Sequence, residues 1–197
     1  DYHKIVDFNS EYEKDLTEPY HNISIISNVI INQIKEILEY SLRSNEISAV
    51  VEVGNYDNII QDSLEVSDSK TVIIFWELIN IIDGLQYKIN NLDEKELENL
   101  CLTIEENIDF LLDNLKEVPL LLFNEFSCFS FTFNNYINNR LENLCSRLNA
   151  HLLSKKQTNL QIISIDKIIS QNGVLSSIDF RKYYSSKVLY KPDFLKR

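Results

Sequence analysis

Methionine is missing from all 197 residues, position 1 included, and glycine, proline and cysteine occur three times each. A chain with no methionine even at its start is expected to be a piece of a longer protein. The scarcity of glycine removes a large class of sites. Where a phosphate-cradling loop would follow the first apolar run, the chain reads "SNVIINQ", which argues against P-loop and dinucleotide sites. A G-x-S-x-G nucleophile elbow is also missing. The cysteines, Cys101, Cys128 and Cys145, are odd in number and lack metal-ligand spacing, so they read as reduced thiols of a cytoplasmic protein. Cys101 and Cys145 fall on apolar helix stripes that would bury them. His3, His21 and His151 are scattered, so neither a metal site nor a cofactor is expected. No apolar run approaches the ~20 residues that a membrane span requires, and no N-terminal signal pattern is present.

Positive charge is also short: 19 Lys and Arg face 30 Asp and Glu, for a net charge of −11. Nucleic-acid binding needs clustered cations facing phosphates, and this balance argues against it. The exception is the tail "SSIDFRKYYSSKVLYKPDFLKR", where six basic residues meet only Asp179 and Asp193. The opposite extreme is 93–117, with nine acids and two lysines, which reads as a solvated helix face.

What is abundant is a patterned alternation. "NISIIS" (22–27), "ISAVVEVG" (47–54), "KTVIIFWEL" (70–78), "VPLLLFNEF" (118–126) and "LQIISID" (160–166) are short, β-branched and continuously apolar, as strands covered on both faces are. Helical periodicity fills the intervals: 28–44, 94–117 and 135–154 each carry an apolar stripe. Asp93, three residues before Glu96, predicts a capping box, and Pro119 marks that helix's end. Strand and helix in alternation predict a doubly wound, flavodoxin-like α/β domain with about five parallel strands between two helical layers. The expected division is an N-terminal extension over 1–21, the α/β domain over 22–190 and the start of a linker over 191–197. Ligands of such sheets bind outside the carboxyl ends of the strands. The candidate ligand-binding residues are therefore Asn28, Gly54, Asn55, Trp76, Glu77 and Asn124, with Ser27, Glu125 and the segment after Asp166 beside them.

The order of these blocks resembles the SGNH (GDSL-type) hydrolase fold. That likeness places a nucleophile block at Ser27, an oxyanion block at Gly54, a third block at "FWELIN" and the last block at "DFRK" (179–182). The chemistry departs from the family: Gly-Asp-Ser is missing, the third block lacks Gly-x-Asn-Asp, and Lys182 stands where a histidine is implied. A charged lysine cannot take a proton from serine unless burial lowers its pKa. "NISIISNVIINQIKEIL", "VEVGNYDNIIQDSL" and "DFRKYYSSKVLYKPDF" together resemble the N-terminal region of FkbH-like proteins, over about Asn22 to Phe194. In that family an SGNH-like domain precedes a haloacid-dehalogenase (HAD) domain of subfamily IIIC. Members with both domains are implied to load a three-carbon phosphate onto an acyl carrier protein and dephosphorylate it, or to act in related polyketide and surface-polysaccharide pathways. The HAD signature Asp-x-Asp-x-Thr is absent from this chain.

Two functions stay open on this reading. One is a non-catalytic accessory domain that docks an acyl carrier protein or a small phosphorylated or acyl substrate, with Asp179, Arg181 and Lys182 as an anion-binding edge and a C-terminal HAD domain as partner. The other is a divergent esterase or acyltransferase using Ser27. For the tail, a structural Asp179–Arg181 pair is the competing reading.

Overall fold

A computed structural model describes residues 2–17, 20–31, 33–128 and 139–196. Five strands, β1 (His21–Ser27), β2 (Ala49–Val53), β3 (Thr71–Phe75), β4 (Leu120–Asn124) and β5 (Leu160–Ile163), form one sheet in the order β2-β1-β3-β4-β5. Every pairing is parallel, for example Ile25 opposite Val53 on one side and Ile73 on the other. This is the doubly wound sheet that the sequence predicts. β1 is wholly buried from Ile23 to Ser27, and β3 nearly so, because helices cover both faces.

The helices are α1 (Tyr2–Tyr12), α2 (Ile34–Arg43), α3 (Ile59–Asp62), α4 (Leu78–Ile81), α5 (Leu85–Lys88), α6 (Glu94–Asn114), α7 (Arg140–Ser154), α8 (Ile165–Asn172), α9 (Val174–Ser177), α10 (Phe180–Ser186) and α11 (Pro192–Leu195). The chain winds from β1 outward to β2, then returns past β1 to β3, β4 and β5. Right-handed crossovers then put α2 on one face and the helices after β2, β3 and β4 on the other. The core between the layers includes Ile25, Ile74, Leu121 and Phe123 of the strands and Ile104, Ile108, Leu111 and Leu148 of α6 and α7.

Several boundaries differ from those predicted. The helix expected from residue 28 begins only at Ile34, because Asn28 is tied by backbone and side chain to the end of β3. The part of the helix expected over 135–138 lies outside the described residues. Within the expected N-terminal extension, α1 packs on α2, with buried Asn9 donating to the Glu36 carbonyl at 2.9 Å. Residues 192–195, expected in a linker, are helical and bury Phe194 against Tyr190, ring centroids 4.2 Å apart.

The acidic face of α6 meets a partner. Arg147 of α7 bonds Glu98 at 2.6 Å and Glu105 at 3.0 Å, Arg140 pairs with Glu94, and His151 bonds Asp109 at 2.8 Å. The predicted capping box is present, with Asp93 accepting from the Glu96 amide and Glu96 from the Asp93 amide, both at 2.8 Å.

Candidate functional site at the carboxyl ends of the strands

The sheet turns back on itself between β1 and β3, and loops leave in opposite directions from this switch point. Two asparagines close it. At the end of β1, the Asn28 side chain accepts from the Glu77 amide at 2.7 Å and donates to the Glu77 carbonyl at 2.9 Å. At the end of β4, Asn124 treats Trp76 the same way, accepting at 2.6 Å and donating at 3.1 Å, with a further bond to the Glu125 carbonyl at 2.9 Å. Each side chain thus replaces the strand neighbour that Trp76 and Glu77 lose where the ladder stops. Both asparagines are buried, so these bonds satisfy groups that water cannot reach.

The dipeptide held this way turns inward. Trp76 lies against Phe123 and Phe126, with centroids at 6.4 and 5.9 Å. Glu77 is buried and its carboxylate accepts from the Tyr190 hydroxyl of the C-terminal segment. Burial pushes the Glu77 carboxyl up to about 7; the Tyr190 hydrogen bond opposes the shift and Asp166 adds to it. Tyr190 also stacks on Phe75 at 5.2 Å, while Tyr183 donates to Asn80, which itself donates to the Asn28 carbonyl. The tail therefore returns over the strand ends through Tyr183 and Tyr190.

Ser27 is buried, and its hydroxyl is engaged with its own loop: it donates to the Val29 carbonyl and accepts from the Val29 amide, both at 3.0 Å. His21 and His151 bond Thr71 and Asp109, not Ser27. Gly54 and Asn55 belong to a different knot centred on Asp62. That carboxylate accepts from the Asn55 amide at 2.7 Å, the Asn55 side chain at 3.3 Å and the Asn58 side chain at 2.7 Å. Asp166 accepts from Ser127, and burial raises its pKa; Glu125 accepts from Ser164. Among the described residues, no three His, Cys, Asp or Glu side chains are placed to hold a metal ion.

An open cleft lies one step away from these knots; a larger one, about 510 Å³, lies between α6 and α7, away from the strand ends. The nearer cleft, of about 390 Å³, runs between the loop after β1 and the C-terminal helices, lined by Ile30, Ile31, Asp179, Lys182, Tyr190 and Lys191 among others. Val188, Pro192 and Leu195 extend its apolar wall. Asp179 caps α10, accepting from the Lys182 amide at 3.0 Å, and this bond holds its carboxyl below the usual range. Lys191 donates to the Leu175 carbonyl. Lys182 is exposed, and its ammonium has no hydrogen bond or ion pair among the described residues. Arg181 is exposed as well, and neither it nor Ser27 nor Gly54 lines the cleft. Of the residues picked from sequence, Asp179 and Lys182 thus meet at an opening, while Asn28, Trp76, Glu77 and Asn124 meet in the interior. Sequence reasoning missed Asp62, Asn80, Tyr183 and Tyr190.

No protein-family model matches the chain, and no curated protein matches it in sequence. Among solved structures it is similar to the N-terminal part of the protein BF1531 from Bacteroides fragilis, a crystal structure containing a phosphatase domain complexed with Mg. The likeness has a TM-score of 0.71 at 10% identity and covers 99% of this chain and 53% of that one. The chain spans about half the length of that structure, and at this identity the likeness shows the α/β fold.

Proposed function

We propose that this chain is the leading α/β domain of a protein that also carries a HAD-type phosphatase domain, and that it docks an anionic acyl ligand without transforming it. The occupant that suits the cleft is the phosphopantetheine arm of an acyl carrier protein, as in polyketide or surface-polysaccharide biosynthesis. One observation carries this reading: the polar groups at the strand ends are engaged in bonds to one another, whereas the Lys182 ammonium makes no hydrogen bond or ion pair among the described residues and lines a mixed polar and apolar cleft that it shares with Asp179. The tail's resemblance to FkbH-like proteins and the phosphatase domain in the neighbouring structure support it.

Ester hydrolysis by Ser27 would need a base within hydrogen-bond reach, and Val29 occupies the hydroxyl instead. The test is calorimetric titration of phosphopantetheine into the wild type and Lys182→Ala. Hydrolysis of p-nitrophenyl acetate by wild type and Ser27→Ala, run in parallel, reports on the esterase reading. Turnover abolished by Ser27→Ala in a folded chain would replace the docking function with catalysis.

A further inference from the structure

One buried polar contact ties the C-terminal tail to the strand ends, and its two sides are held unequally. Glu77 is 2% exposed, and its carboxylate accepts from the Tyr190 hydroxyl. The Glu77 side is fixed: Asn28 bonds its amide and carbonyl, and Asn124 does the same for Trp76. The Tyr190 side is held more lightly. Its ring stacks on Phe75 at 5.2 Å and Phe194 at 4.2 Å, and its segment is joined to α9 and α10 by two backbone bonds, from the Lys191 amide to the Ser177 carbonyl at 2.8 Å and from the Asp179 amide to the Leu189 carbonyl at 2.9 Å. The segment leaves α10 through Lys187, whose φ of 58° is a left-handed bend that a lysine adopts only at a cost. Nothing around Glu77 compensates a negative charge. Asp166 at the start of α8 adds to it, Cys145 of α7 and Tyr183 of α10 are the other titratable groups that feel it, and no Lys or Arg pairs with it among the described residues.

We propose that the contact between Glu77 and Tyr190 is a proton-operated latch: with Glu77 neutral, the segment 188–195 lies closed over the strand ends, and ionisation of Glu77 releases it about the bend at Lys187. A buried carboxylate with no cation beside it needs water, and withdrawing the Tyr190 and Phe194 rings admits water without breaking the four asparagine bonds on the other side. In the closed form burial holds the Glu77 carboxyl up at about 7, with Tyr190 opposing the shift and Asp166 adding to it. In the open form its ordinary value of 4.5 returns. The open segment therefore gives up the proton first, and each pH unit between these values favours opening by up to about tenfold. Above about pH 7 both forms are ionised and the effect levels off. Tyr190, Lys191, Pro192 and Leu195 also line the cleft, so opening takes away one of its walls, whatever the cleft binds.

Amide hydrogen exchange of the whole chain, followed residue by residue by NMR between about pH 5 and 8 and corrected for the intrinsic pH dependence of exchange, tests the latch. The reporters are the Lys191 and Asp179 amides, which donate across it; the reference is the Leu121 amide, which donates to the Asn159 carbonyl at 2.8 Å inside the sheet. Lys191 and Asp179 are expected to be less protected than Leu121 throughout, to lose protection by up to about tenfold per unit from pH 5 to 7 and to level off beyond. Glu77→Gln, which carries no titrating proton, is expected to lose that slope. Tyr190→Phe, which removes the donor that opposes the upward shift, should carry the fall in protection above pH 7. Tail amides exchanging at the same protection as Leu121 would show that the segment opens only with the whole fold, and would overturn the latch. So would protection that does not change with pH in the wild type, or an equal slope in Glu77→Gln. Should that variant not fold, Tyr190→Phe decides: a fall that still ends at pH 7 contradicts the proposal.

Discussion

Gly54 owes its place to a carboxylate. A Cβ there would sit 2.4 Å from the Asp62 Oδ2, and Asp62 cannot swing aside without dropping bonds from Asn55 and Asn58. Gly54→Ala is expected to destabilise the fold by about 1–3 kcal/mol, read from chemical denaturation, with phosphopantetheine binding retained. Glu77 gives a second prediction at this scale. Its carboxyl titrates near 7 in the fold against 4.5 ordinarily, so folding favours its neutral form. The stability it confers is complete below about pH 4.5 and is lost as pH rises through about 7, on the order of 3 kcal/mol in total. Glu77→Gln should flatten that part of the stability profile; an unchanged slope between pH 5 and 7.5 (roughly the titration window) would refute the assignment. The sequence marked Gly54 and Glu77 by their places at strand ends. It could not show what faces them, since Asp62 arrives from a short helix and Tyr190 from 113 positions away.

Among the elements, α6 and α7 show how the surplus of acid is managed. Composition read the α6 acids as solvated, but Arg147 forks between Glu98 and Glu105, and Arg140 and His151 engage Glu94 and Asp109 along the same seam. Arg147→Ala is expected to lower Tm more than Arg181→Ala, because Arg147 bonds two carboxylates and Arg181 bonds none among the described residues; 1 M NaCl (roughly a 3 Å screening length) should narrow the difference. The capping box at Asp93 and the apolar strand runs were legible because their signals are local and periodic. The late start of α2 was not, because an asparagine's choice between helix and strand end depends on β3, which follows 43 residues later.

For the whole molecule, the winding order β2-β1-β3-β4-β5 brings five strand ends to one edge, and the tail closes over that edge through Tyr183, Tyr190 and Phe194. The sheet and its search area were legible from alternating patterns; the cleft was not, since its walls come from Ile30, Ile31 and Gln33 on one side and from residues between Asp179 and Leu195 on the other. The resemblance to a hydrolase pointed at Ser27 and at 179–182; the Ser27 hydroxyl is bonded to Val29, and a cleft lies beside Lys182. The measurement that tests the docking account most directly is titration of phosphopantetheine into the wild type, Lys182→Ala and Arg181→Ala at low salt, beside melting curves of all three. The account expects saturable binding weakened at least about fivefold by Lys182→Ala, in keeping with the loss of one charge-assisted contact, and far less by Arg181→Ala. All three Tm values should agree closely, since exposed cations contribute little to folding. Absence of binding by the wild type, or equal affinity in Lys182→Ala, would contradict it.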